Sequence, residues 1–339
     1  MLCVQCEAAN KICGDIKAFN TSNTPSHEED ARLKPDVTFY KADTSDSKGH
    51  LKPFQTMEMF VEFKHDKQSD PFCKESQPFE KLFDKDCATC GQIILYSTRM
   101  QNYQFRTRAF SVGIFGNVAR LFCWDCAGVV VLGPIRYSTR GNRDLADFFR
   151  RFNLMDRAQR GWDPTVFDAT PEEATSFNKA IKAVVGDGKN SLLKSLLESV
   201  GRKDHYPRKR IEIDDGHGRT VSYIVGRSTG GAGSPTGRTT RGFVALSKDT
   251  NKLVFLKDSW RADIDGMMGE AHWFERLKGV RNLSAFLQGL EVGHVVVKRQ
   301  NTSGTKNPPP DSLQRMVTNL YSERYSEFRE LMGYCQGCA

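Results

Sequence analysis

YIVGRSTGGAGSPTGRTTRGFVALSKDTNKLVFLK, residues 223–257, reads as strand, glycine-rich connection, strand, turn and strand. The apolar runs at 223–225, 243–247 and 252–257 have strand length, and Lys248-Asp249-Thr250-Asn251 supplies the turn between the last two. Between the first two runs lie Gly226, Gly230, Gly231, Gly233, Gly237 and Gly242. A glycine-rich hairpin lets backbone N–H groups come close to phosphates, because no Cβ blocks the approach. The third strand ends on Lys257, and residues 265–277 carry a helical stripe of Met267, Glu270, Trp273, Phe274 and Leu277. A carboxylate on an apolar stripe is costly unless a cation meets it, and Lys257 is the nearest candidate in this order of elements. Glu275 is the alternative partner, and a water-exposed Glu270 is the other reading.

Three segments, GRTTRGFVAL (237–246), LVFLKDSWR (253–261) and GEAHWFERL (269–277), resemble the small lobe of the fungal-type protein kinase domain family. FVEFKHDKQSDPF (60–72), RTRAFSVGIFGNVARLFCWDCAGVVV (106–131) and FNLMDRAQRGWDPTV (152–166) are similar to that family's N-terminal extension. The resemblance implies ATP-dependent Ser/Thr phosphoryl transfer in full-length relatives, with ATP and Mg²⁺ as cofactors. It gives Lys257 and Glu270 the roles of the phosphate-holding lysine and its helix partner, and puts Gly237 and Gly242 over the nucleotide. The departures are equally definite. No histidine precedes Arg-Asp, and no Asp-Phe-Gly follows residue 280, so the proton-accepting and metal-binding aspartates of a kinase are missing. The expectation is a truncated, inactive kinase-like protein or pseudokinase with at most weak nucleotide binding. A P-loop is excluded, because VVGDGKN (184–190) lacks its first glycine and its Ser/Thr.

Upstream, the residues suggest a different chemistry. Pro35-Asp36 followed by Glu62-x-Lys64 is the order of the PD-(D/E)xK nuclease-like fold. Two carboxylates on neighbouring strands can hold Mg²⁺ through hard oxygen ligands, while a lysine orients water or offsets developing charge. Gln92 and Tyr96, four apart, share a helix face and resemble the Q-x-x-x-Y element of some exonuclease-like members of that fold. Glu28 or Glu29 would add an upstream acid. MFVEFK (59–64) alternates apolar and charged side chains, as a half-buried strand does.

Further strands are predicted at 36–40, 107–115, 118–124 and 128–135, with helices at 91–100, 145–152, 171–185 and 191–200. The fold class is α+β: a frayed arm (1–30), an α/β unit (31–165), a helical and basic connector (166–220), a kinase small-lobe-like unit (221–300) and a tail with one helix (301–339). Four C-x-x-C pairs, Cys3/Cys6, Cys87/Cys90, Cys123/Cys126 and Cys335/Cys338, lie far apart in the chain, so buried or incidental thiols are expected rather than zinc. The net charge of +8 includes one dense run, HYPRKR (205–210), read either as a solvated linker or as a surface for nucleic acid or phosphate. A protein substrate or regulator is a further expected partner, and a non-catalytic binding module is the third function class. No apolar run reaches membrane-spanning length, and the N-terminus lacks the pattern of a secretory signal, so an intracellular site is expected.

Overall fold

The computed structural model describes residues 2–23, 33–42, 53–72, 80–81, 84–126, 128–186, 206–214, 218–229, 233–237, 239–260, 262–263, 276 and 311–312. The chain divides near Asp163/Pro164 into two compact units.

The first unit begins with α1 (Leu2–Ile12) and β1 (Ile16–Asn20), inside the stretch expected to fray. Then come β2 (Val37–Lys41), α2 (Pro53–Thr56), β3 (Met59–Lys64), α3 (Asp84–Tyr103), β4 (Ala109–Phe115), β5 (Val118–Asp125), β6 (Gly128–Val131) and α4 (Asp144–Leu154). The strands form one sheet in sequential order, antiparallel except for the β3–β4 pair. A parallel pair needs a long crossover, and α3 supplies it. Alternation along β3 sends Met59 and Val61 to one face, with Ile16, Val37, Phe39, Val112 and Leu121, under Cys6 and Cys13 of the first segment and Phe148 and Phe152 of α4. Phe60 goes to the other face with Phe122 and Trp124, under Phe54 of α2 and Ile93, Tyr96 and Met100 of α3. β3 is therefore covered on both sides, and not half-exposed as its alternation suggested.

Buried ion pairs tie loops to this sheet. Glu58, just before β3, accepts a bond from Trp162 Nε1 at 2.9 Å and meets Arg106 Nη2 at 3.5 Å. The Trp162 ring lies 3.9 Å from the Arg106 guanidinium and 4.1 Å from that of Arg157. Arg120 of β5 reaches Asp70 at 2.8 Å in the interior. Removing one member of such a pair strands a buried charge, which costs about 3–5 kcal/mol.

The second unit contains β7 (Val166–Asp168), α5 (Pro171–Gly186), β8 (Lys209–Asp214), β9 (Thr220–Ser228), β10 (Arg241–Ser247) and β11 (Leu253–Asp258). These strands form a five-stranded antiparallel meander. Helix α5 is opened by a capping box: Thr170 Oγ1 accepts from Glu173 N, and Glu173 Oε2 accepts from Thr170 N at 2.9 Å. Its Phe177 and Ile181 pack on Ile224, Val244 and Leu246. The segment read as a connector thus supplies a helix and two strands of this unit. Within the basic run, Arg208 is buried over Phe177 and bonded to Asn178, Lys209 pairs with Asp168, and Arg210 meets Glu173 and Glu212. Arg208 and Arg210 thus join the sheet to its helix, Lys209 joins β8 to β7, and two of the three cations are paired with acids.

The predicted helices at 191–200 and 265–277 and the helix expected in the tail (301–339) fall on residues outside those described, except Arg276 and the residue pair 311–312, which is extended.

Candidate active site

The five residues proposed for metal-dependent cleavage meet at the carboxyl end of β3. Glu62 and Lys64 project from the same face of β3 as Phe60, which places them under α3. Val37 of β2 is the register partner of Val61, so Asp36, one residue earlier, stands beside Glu62. Its Oδ2 accepts a bond from the Phe63 amide at 2.9 Å, which fixes the carboxylate across the end of the strand pair. Gln92 and Tyr96 lie one helical turn apart on α3 and face the strand.

A continuous hydrogen-bond chain connects them. Lys64 Nζ donates to Glu62 Oε1 at 2.8 Å and to Gln92 Oε1 at 2.7 Å. Gln92 Nε2 donates to the Tyr96 hydroxyl at 2.8 Å, and that hydroxyl donates to the Lys34 carbonyl at 3.0 Å. Each partner has one compatible role, which sets the orientation of the Gln92 amide. Tyr96 is buried, and burial holds its phenol above its ordinary pKa, so it remains a donor at neutral pH.

The two carboxyls are in an uncomfortable environment. Glu62 is 2% exposed, and its carboxyl is pushed up to about 7, first by burial and then by the Asp36 charge. The bond and charge of Lys64 oppose that shift without cancelling it. Asp36 is also raised, mainly by burial, against the Phe63 amide and Lys64. Glu62 Oε2 is buried and accepts no well-formed hydrogen bond, the Asp36 amide giving the carboxylate only a weak one. Two adjacent acidic groups, one with an oxygen that lacks a well-formed bond, suit a hard divalent cation such as Mg²⁺, which takes one or two carboxylates and completes its shell with water. Among the described residues no group of three or more His, Cys, Asp or Glu side chains is placed to hold a metal ion. Glu28 and Glu29 lie outside the described residues. The Lys64 side chain is 27% exposed, whereas that of Glu62 is buried.

The anchoring Lys34 carbonyl went unnoticed in the sequence, because a backbone acceptor has no residue-type signal. The kinase-type residues are less complete. Gly242 of β10 is the register partner of Lys257 on β11, in the order strand, glycine-rich connection, strand, turn, strand. Gly237 has φ +91°, a conformation that favours glycine. Glu270 lies outside the described residues, so its pairing with Lys257 does too.

Comparison with family models, with curated proteins and with solved structures finds no match to this chain. No described helix is long and apolar enough to cross a membrane.

Proposed function

We propose that the first unit is a metal-dependent phosphodiesterase of the PD-(D/E)xK nuclease-like type, with Asp36 and Glu62 as the metal ligands and Lys64 as the catalytic amine. The observation that carries this reading is the convergence of Asp36, Glu62, Lys64, Gln92 and Tyr96 at one strand end, with Glu62 Oε2 buried and without a well-formed hydrogen bond. Mg²⁺ bound by the two carboxylates would supply an activated water and charge for the phosphate oxygens. The protein's own residues do the positioning. Gln92 and Glu62 hold Lys64 Nζ from two sides, which fixes the amine next to the carboxylates. There it can orient the attacking water and offset the charge that grows on the phosphate as the P–O bond to the leaving group breaks. The Tyr96 hydroxyl bonds to Gln92 and to the Lys34 carbonyl, and so positions Lys64 through Gln92.

The test is hydrolysis of single- and double-stranded DNA and RNA in Mg²⁺ or Mn²⁺. Lys64→Ala is expected to lower the rate about 10²- to 10³-fold, the range seen when one preorganised charge-stabilising donor is removed. Equal rates in the wild type and Lys64→Ala would end the assignment.

A second reading is favoured by one observation in the other unit, the meander that brings Lys257 opposite Gly242 beside the glycine-rich connection. Under this reading the second unit is kinase-like and binds nucleotide weakly through Lys257. A Mg-ATP thermal shift present in the wild type and absent in Lys257→Ala supports it; identical shifts remove Lys257 from any nucleotide site.

A further inference from the structure

At the amino end of β3, away from the carboxylates, three arginines gather around Trp162. The Trp162 ring lies 3.9 Å from the Arg106 guanidinium and 4.1 Å from that of Arg157. Two like charges that close to one ring repel each other on a shared face, so the indole stands between them. Glu58 meets Arg106 at 3.5 Å and Arg160 at 3.9 Å, so one acid is shared by two of the three cations. No described carboxylate pairs with the Arg157 guanidinium, which is half-buried against Trp162, and Arg160 Nε is buried without a hydrogen-bond partner. Burial, followed by the charges of Arg157 and Arg160 against the pull of Glu58, lowers the Arg106 guanidinium to about 10. The cluster thus holds a positive potential that Glu58 does not offset. A closed turn carries Arg157. The Asp156 carboxylate accepts from the Gln159 amide at 2.7 Å, the Arg160 amide bonds to the Asp156 carbonyl at 3.0 Å, and the Trp162 amide bonds to the Arg157 carbonyl at 3.1 Å. Bonds from the Thr107 amide to the Gly161 carbonyl and from the Asp163 amide to the Phe105 carbonyl tie that turn to the chain entering β4. A guanidinium stacked on a ring keeps its N–H edge for an anion, and its planar fork fits phosphate oxygens.

We infer that Arg157, backed by Trp162, Arg106 and Arg160, is a contact for the phosphate backbone of a nucleic-acid substrate. The inference rests on the phosphodiesterase reading of the first unit and adds a subsite that holds the substrate without touching the reacting atoms. Phosphate contacts of this kind set register and carry no sequence preference. Glu58 stands just before β3 and Lys64 at its end, a separation of about 20 Å at roughly 3.3 Å per residue. One strand of a duplex rises about 3.4 Å per nucleotide, so about six nucleotides separate the cleaved bond from the phosphate on Arg157. Shorter substrates gain nothing from Arg157, whereas longer ones have a lower KM at unchanged kcat.

The experiment follows the fluorescence anisotropy of a labelled DNA duplex, several times longer than that span, bound to the full chain in chelator over a series of salt concentrations. Arg157→Ala should reduce the slope of log affinity against log salt by about 1 and weaken binding alike on unrelated sequences. Arg157→Lys keeps the charge but loses the stacked fork, so it should keep the slope at lower affinity. In the wild type, bound duplex should protect Arg157 from phenylglyoxal, a readout that needs no variant to fold. No binding by the wild type, a wild-type slope in folded Arg157→Ala, or equal labelling of Arg157 with and without duplex would overturn the inference. Binding is read without metal and so separates from the rate assay: absence of hydrolysis in Mg²⁺ ends the phosphodiesterase reading, whereas binding that ignores Arg157 ends this one.

Discussion

Glu62 shapes the chemistry and the stability of the first unit through the same property. Its carboxyl is raised from an ordinary 4.5 to about 7, so between those values the native state binds more protons than the unfolded state. Stability of the metal-free protein should therefore fall as pH rises from about 4.5 through about 7, because the proton is lost from a buried group. Glu62→Gln removes that titration. The substitution should flatten the pH dependence and stabilise the metal-free protein at pH 8 by on the order of 1–3 kcal/mol. Urea unfolding in chelator at pH 5 and pH 8 measures this; parallel pH profiles for the wild type and variant would contradict it. In Mg²⁺ the order should narrow or reverse, since ligand binding to the native state stabilises only the protein that binds it.

At the scale of the element, α3 matters because one helix both closes the core and holds the Lys64 amine. Its inner stripe is Ile93, Tyr96 and Met100, and Gln92 sits at the edge of that stripe. Tyr96→Phe keeps the ring but deletes both hydrogen bonds of the hydroxyl. The expected cost is about 1 kcal/mol of stability, with a roughly tenfold lower cleavage rate and unchanged Mg²⁺ affinity, since neither carboxylate is touched. Titration calorimetry alongside the rate assay separates the two; a parallel loss of metal affinity would make Tyr96 part of the metal site. Gly161 is a second local constraint. It has φ +91°, and a Cβ there would lie 2.1 Å from the Arg108 carbonyl oxygen, so Gly161→Ala should cost more than about 1 kcal/mol in thermal unfolding.

The alternation of β3 was legible in its sequence, and so were the identities of Asp36, Glu62, Lys64, Gln92 and Tyr96. What period two could not say is which layer covers each face. Glu62 and Lys64 read as water-facing, yet α3 lies over them, and that burial is what raises Glu62. Side-chain alternation fixes which residues share a face; tertiary packing decides what they meet.

For the whole molecule, two units carry two separate chemistries in this account. The last three strands of the second unit, β9 to β11, were visible from their apolar runs and glycine-rich connection. β7 and β8 were not, because β8 (Lys209–Asp214) begins in a basic run that pairs with acids distant in sequence, Asp168 and Glu173. Charge density in one dimension does not reveal a partner thirty or more residues away. The division also makes a prediction. Phe177 of α5 is fully buried in the second unit, and Phe177→Ala should cost about 3–5 kcal/mol there. Two unfolding transitions should then separate in calorimetry, with Mg²⁺-dependent hydrolysis retained above the lower one. Loss of hydrolysis together with that lower transition would show that the first unit does not work alone.

The most direct measurement of the central claim is equilibrium binding of Mg²⁺ or Mn²⁺ to the reduced full chain at pH 8, wild type against Glu62→Gln. One ion should bind the wild type, and the variant should lose most of that affinity, because the buried carboxylate whose oxygen lacks a well-formed bond is then an amide. Equal binding by both proteins, or no binding by either, would contradict the account.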